Sequence, residues 1–429
     1  MVPRIPDSPE PGGDPNDAYT EDRVPISNRN VLVSGGGVSG TALALWLARK
    51  GFAPTVVDSA PGPRAEGDHV EVSRRGMELL DRMGQGERIR HLGSHYTEIR
   101  THISGRDQPI LMPFQSGGLL LRHEQLVRAL REAADKLPDP GVRHRDGDTI
   151  TDLAQDDDGV DVTFARAPAE RFDLVVGADG LYSPVRRLAF PGSDDDHLRY
   201  LEANVATFES PNVLGTRDAL SWHVWPHRGC VAATLPGNER LQVQLLMRDR
   251  FPVYADSLDQ GAEHRLVEEV FGEDGWRMPE LLRAMADTDV SIVPATRVRM
   301  DVWSRGRVVL VGDAAYCPDR LSGQGPATAL MGALALAGEL SFAEGDHGRA
   351  FFSYEAAMRH TVREAQAVAR HVVETGAPEA GPYEMWVRER TEAALTRGSL
   401  LLNRLGLRPP MDPVGEEFAL ERYAPMFDD

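Results

Sequence analysis

The stretch Asn30-Val31-Leu32-Val33-Ser34-Gly35-Gly36-Gly37-Val38-Ser39-Gly40 decides the fold. Val31 to Ser34 form a short apolar run suited to a strand buried on both faces. Gly35, Gly37 and Gly40 then occupy the three glycine positions of G-x-G-x-x-G. The first permits a tight turn, the second lets the backbone approach a pyrophosphate, and the third lets the helix pack closely on the strand. The helix N-terminal amides that follow, beginning with Val38 and Ser39, would face the phosphates. Thr41 to Lys50 is rich in Ala and Leu, with Leu43 and Leu47 on one helical face and Gly51 placed as a C-terminal cap. Pro54 to Asp58 reads as a second strand, and Asp58, 18 residues after Gly40, stands where a carboxylate can accept ribose hydroxyls. A strand, turn, helix and strand in this order lift the glycines above a chance cluster. Alone, the unit does not separate NAD from FAD.

Outward from this unit, Arg74 to Met83 and Glu124 to Leu137 have helical periodicity, and Glu98 to Met112 alternates as antiparallel strands do. Phe172 to Val176 is a second buried strand. Strand-like stretches return at Leu220 to Trp225, Cys230 to Leu235 and Leu241 to Met247, with a helical pair near Glu263 to Phe271 and Pro279 to Ala286. Helical patterns over Arg349 to Thr375 and Tyr383 to Leu405 are closed by Pro409-Pro410, before a polar tail. Residues 1–28, rich in Pro, Asp and Gly, read as a flexible arm.

Two further motifs carry chemistry. Asp173-Leu174-Val175-Val176-Gly177-Ala178-Asp179-Gly180-Leu181-Tyr182-Ser183-Pro184-Val185-Arg186 resembles the Asp-Gly motif of the flavoprotein aromatic hydroxylases. Val308-Val309-Leu310-Val311-Gly312-Asp313-Ala314-Ala315, followed by Gly323-Gln324-Gly325, resembles their Gly-Asp motif. With the glycine turn, these make the chain similar, over roughly residues 29 to 345, to the single-component FAD monooxygenases of the p-hydroxybenzoate hydroxylase-like family.

The resemblance implies an α/β fold: a Rossmann-like FAD-binding domain (29–96, 117–199 and 297–346), an inserted mixed β-sheet substrate domain (97–116 and 200–296), and C-terminal helices and tail (347–429). It implies that Asp58 and Asp179 contact the cofactor, that Asp313 accepts a flavin ribityl hydroxyl, and that Gly323, Gln324, Gly325 and Pro326 open a helix whose amides stabilise charge on the reduced ring. Arg122 matches a position whose guanidinium reaches the flavin side chain, and Arg64 lies where relatives contact phosphate. The chemistry implied is reduction of FAD by NAD(P)H acting as a transient reductant, addition of oxygen at the flavin C4a position, and transfer of the distal oxygen to an electron-rich substrate. The long C-terminal helices resemble those of antibiotic-modifying relatives, which suggests a polycyclic or polyketide-like substrate in natural-product biosynthesis. Other relatives are implied to use FAD structurally in a non-redox cyclase, including [4+2] cyclisation.

One departure stands out. The seventh residue after the Gly-Asp aspartate is commonly a proline packed beside the flavin ring, whereas here it is Arg320, with Pro318 two residues earlier. Arg320 is the sole side chain that this reading nominates near the reacting centre; it turns to solvent, pairs with Asp319, or alters oxygen activation or substrate choice. Trp222, His223 and Trp225 are substrate-pocket candidates, since aromatic side chains could stack on a flat ligand. No metal-ligand cluster, P-loop or Ser/His/Asp order is apparent.

Composition bounds the rest. With 429 residues the chain suggests two to three domains. Charged residues at 26% and hydrophobic ones at 41% exclude a fibre or a wholly disordered chain. The formal charge, 47 − 66 = −19, repels nucleic-acid phosphates and anionic membranes, so the expected partner is a small molecule. The expected state is a cytoplasmic monomer or homodimer: Cys230 and Cys317 cannot form a disulfide framework, and no signal peptide or membrane span is evident.

Overall fold

Asn30–Ser34 lies between two parallel neighbours, Ala53–Asp58 and Leu174–Gly177. Val308–Leu310 adds parallel outside Leu174–Gly177, and Arg143–Asp146 adds outside Ala53–Asp58. Antiparallel Ser304–Arg305 completes this six-stranded sheet. The structure is a computed structural model that describes residues 26–62, 69–102, 108–113, 118–139, 141–254, 259–379 and 414–427.

The sheet forms because its strands are continuous apolar runs: Val31, Leu32, Val33, Leu174, Val175, Val176, Val309 and Leu310 are completely buried. The opening helix, Val38–Arg49, packs on Gly325–Phe342 and His123–Ala134. Gly325–Phe342 is buried continuously from Ala327 to Leu340, which is why it carries no amphipathic stripe.

A second, seven-stranded sheet runs in the order Ser291–Val298, Leu198–Pro211, Arg240–Arg248, Arg228–Thr234, Ala219–Trp225, Glu98–His102, Ile110–Pro113. Its pairings are antiparallel except that between Ala219–Trp225 and Glu98–His102. Helices Gln260–Phe271 and Met278–Met285 bury one face, through Phe208, Val243, Leu245, Phe271 and Met278. The other face turns toward the first sheet. The long strand Leu198–Pro211 is irregular between Tyr200 and Asn204, where Glu202 takes a φ of +55°.

His347–Gly376 extends the helix expected over 349–375. The expected helix 383–405, the Pro409-Pro410 pair and residues 1–25 of the arm lie outside the described residues. The polar tail needs correction. Phe418, Leu420, Tyr423 and Met426 are buried, and the ring of Tyr423 sits where a Cβ on Gly338 would be 2.6 Å from it. Arg422 forks onto buried Glu339 at 2.7 and 2.8 Å, and the Tyr423 hydroxyl donates to the same carboxylate at 3.0 Å. Four apolar side chains spaced two or three apart are enough to dock a segment whose composition reads as polar. The α/β fold, with its parallel FAD-type sheet and mixed second sheet, is as the resemblance implies.

Candidate functional site

One cavity of about 920 Å³ runs from the carboxyl edge of the parallel sheet to the open face of the second sheet. Its first end is built by the glycine turn. Gly35 has a φ of +107°, and a Cβ there would lie 2.3 Å from the Ala178 carbonyl oxygen. No side chain can therefore stand where the first strand hands over to the helix. Gly40 is pressed on the Gly35 carbonyl, whereas a Cβ at Gly37 would meet nothing within 4 Å. The opening helix has neither a side-chain cap nor an acid in its first turn. Its first amides, with their share of the helix dipole, are thus left for an anion.

The three strand ends are tied together. Gly35 N–H donates to the Val57 carbonyl and Ala178 N–H to that of Ser34, each at 2.7 Å; Val311 N–H donates to Gly177 at 2.9 Å. Asp58 accepts from Gly36 N–H at 2.6 Å and Ala60 N–H at 2.8 Å, so its carboxylate is fixed at the cavity wall. Asp179 also lines the cavity, but its oxygens accept from Ser34 Oγ and Val185 N–H, each at 3.1 Å, and from Ser183 Oγ. Burial pushes its carboxyl up, against those hydrogen bonds. In this arrangement Asp179 brackets the strand ends.

The Gly-Asp motif approaches the opening helix closely. Gly312 has a φ of +66°, and a Cβ there would be 2.6 Å from Ser39 Oγ. That contact sets Asp313 on the cavity wall, where burial raises its carboxyl pKa while Cys317 and Arg320 pull it down. Gly323, Gly325 and Pro326 line the wall where helix Gly325–Phe342 begins; Gln324 is its N-cap and is not on the wall. Arg320 is exposed at the lining of the same loop. Its neighbour Asp319 is buried at a φ of +92° and accepts from Thr296 N–H at 2.6 Å and Leu321 N–H at 2.8 Å. Burial pushes the Asp319 carboxyl up to about 6, against those bonds and Arg320.

A family model for the FAD binding domain matches residues 28–374. The chain belongs to this FAD-binding family. It is 36% identical over 359 residues to an uncharacterized protein of Mycobacterium tuberculosis, covering 82% of this chain and 95% of that one. It is 30% identical over 344 residues to a flavin-dependent monooxygenase of Legionella longbeachae, covering 78% and 86%. The tetracycline destructase Tet(55) is similar in structure, with a TM-score of 0.71 at 27% identity, over 88% of this chain and 98% of that one. The Diels-Alderase PyrE3 shares the fold, with a TM-score of 0.67 at 22% identity, over 88% and 78%.

For an FAD-binding chain, the residues present fit the cofactor: open space at Gly37, helix-start amides with no partner among the described residues, and the carboxylates of Asp58 and Asp313 at the cavity wall. Glu124 lines the cavity as well; it is only 6% exposed, and its buried Oε2 lacks a hydrogen-bond partner among the described residues. Sequence reading overlooked it, along with His123 and Arg131 on the same wall; Arg131 forks onto Asp146 at 2.6 and 2.9 Å. The helix starting at His123 was recognisable, but the direction of its first side chains was not.

Other expectations fare differently. Arg122 does not line the cavity: its guanidinium donates to Glu209 of the second sheet at 2.8 Å, while the next residue, His123, takes the wall. Arg64 lies outside the described residues. On strand Ala219–Trp225, alternate side chains separate. Trp222 lines the cavity, but His223 and Trp225 are buried under the opposite face with Trp276, whose ring stacks on His223 at 5.1 Å. Burial and nearby His102 push the His223 imidazole down to about 4. These two residues are therefore packing, not pocket. No group of His, Cys, Asp or Glu among the described residues could hold a metal, and no helix among them is long and apolar enough to cross a membrane.

Proposed function

We propose that the chain is an FAD-dependent monooxygenase that uses NAD(P)H and oxygen to hydroxylate or otherwise oxygenate a polycyclic, polyketide-like small molecule in natural-product biosynthesis. The observation that carries this reading is the continuity of the cavity: the glycine turn, the Gly-Asp loop and an open sheet face line one space. The name of the tetracycline destructase, whose chain is covered almost completely, supports a fused-ring substrate.

Bound FAD would supply hydride acceptance and oxygen activation. The chain's own residues would do the rest. The amides of Val38 and Ser39 would hold the diphosphate, and Asp58 the adenosine ribose. Asp313 would accept a ribityl hydroxyl, and the amides after Gly323 would favour negative charge at the ring's pyrimidine edge. The apolar walls of the second sheet would exclude water from the reacting face. A cyclase reading on the same fold draws support from Arg320, which stands where the resemblance implies a proline. The test is anaerobic addition of NADPH or NADH to purified, FAD-loaded protein. Bleaching of the flavin absorbance is the expected outcome. Retained FAD that neither nucleotide bleaches, even with a fused-ring ligand present, selects the cyclase, and failure to take up FAD overturns both.

A further inference from the structure

The open face of the second sheet is arranged in rows. Hydrogen-bonded register places Gln244 opposite Val231 and Val231 opposite Trp222, and one step along the strands it places Gln242, Ala233 and Leu220 in a parallel row. All six line the cavity. Gln242 is engaged, donating to the His69 carbonyl at 3.4 Å. Gln244 is not: among the described residues its carboxamide has no hydrogen-bond partner, and neither has the indole N–H of Trp222. These are a two-way polar group and a donor, separated by a valine and facing one space. Both groups are half-buried on the cavity wall, so a ligand that engages them is oriented by them and gains affinity over one that cannot.

The neighbours fix where this pair points. The benzo edge of Trp222 is seated on the end of the long helix, where a Cβ at Gly376 would lie 3.2 Å from Cζ2. Trp222, Gln244 and Val231 also share a small second cavity with Leu321 of the Gly-Asp loop and Val372. The pair therefore stands across from the loop that would carry the flavin ring.

We propose that Gln244 and Trp222 read the two ends of a flat, fused-ring substrate bearing an oxygen function at each end. The Gln244 carboxamide oxygen accepts from a hydroxyl, or its Nε2–H donates to a carbonyl, while Trp222 Nε1–H donates to the far oxygen. Two strand spacings separate the pair, roughly 9.5 Å, which matches about three linearly fused six-membered rings. The small side chain of Val231 leaves the floor between them flat. This assignment rests on the monooxygenase or cyclase reading of the site only in taking the cavity to be the substrate's.

The test is ligand binding to the FAD-loaded protein without reductant, followed by tryptophan fluorescence and flavin absorbance. The probes are anthraflavic acid, a tricyclic quinone with a hydroxyl at each end, and unsubstituted anthraquinone. The native protein should hold anthraflavic acid about tenfold more tightly than anthraquinone, the size of one well-made hydrogen bond. Gln244→Leu should abolish that ratio while leaving anthraquinone affinity and FAD content unchanged, and Trp222→Phe should shrink it. A ratio that survives in Gln244→Leu overturns the assignment, as does failure of the native protein to bind either probe. Because no nicotinamide is present, these outcomes are separate from those that decide between oxygenation and cyclisation.

Discussion

At the scale of single residues, Glu124 makes two opposed predictions. Its buried Oε2 has no partner among the described residues, so the unmade bond burdens the cofactor-free protein, while the residue lines the cavity that FAD would fill. Glu124→Met should raise the melting temperature of the apoprotein and weaken FAD binding by roughly tenfold or more, read by flavin fluorescence during titration. Unchanged FAD affinity would remove Glu124 from the cofactor site. Gly35, Gly40 and Gly312 were legible because a Cβ at any of them would collide with its neighbours, whereas the motif aspartates were legible through the pattern of strand and turn around them. Arg122 and His123 were not separable, since the strand Leu119–Arg122 ends where the helix begins and one residue of phase decides which side chain meets the cavity. His223 and Trp222 show the same limit: alternation tells that they oppose each other, but both faces of this sheet are covered, one by helices and one by the cavity.

At the scale of elements, the loop after the Gly-Asp motif is held by a buried carboxyl. Asp319 sits at a φ of +92° and a ψ of 150°, a conformation strained for any L side chain. The strain is held in place by the hydrogen bonds that the Asp319 carboxylate accepts. The buried Asp319 carboxyl ties Thr296, in the second sheet, to Leu321. Arg320 is the charged group that acts on it through this loop, and the buried Cys317 thiol lies near both it and Asp313. With a folded pKa near 6 and an unfolded one of about 3.9, the native state holds the proton longer than the unfolded chain. Its contribution to stability is therefore present below about pH 4 and is lost as pH rises to about 6, by up to about 3 kcal/mol. Urea unfolding of the native protein and of Asp319→Asn across this window should differ in slope, with the variant lacking that fall. Parallel slopes would show that Asp319 titrates normally.

At the scale of the whole molecule, the segment Val414–Phe427 is welded to the same helix, Gly325–Phe342, whose start opens the cavity. Glu339 is almost fully buried and Arg422 about half exposed, so the pair is worth more than a surface ion pair and less than a fully buried one. Arg422→Met should lower stability by about 1–3 kcal/mol and lower the melting temperature of FAD-loaded protein; no change would mean that Tyr423 alone satisfies Glu339. The parallel sheet carries a different consequence. Leu174–Gly177 must meet Asn30–Ser34 on one side and Val308–Leu310 on the other. At the ribosome's pace of roughly 5–20 residues per second, some 130 residues pass between the second of these strands and the third, a wait of about 7 to 26 seconds. During synthesis a wholly apolar strand edge therefore stands open to the cell for that interval. Yield should therefore depend on chaperones more in a slow-translating host than in a fast one.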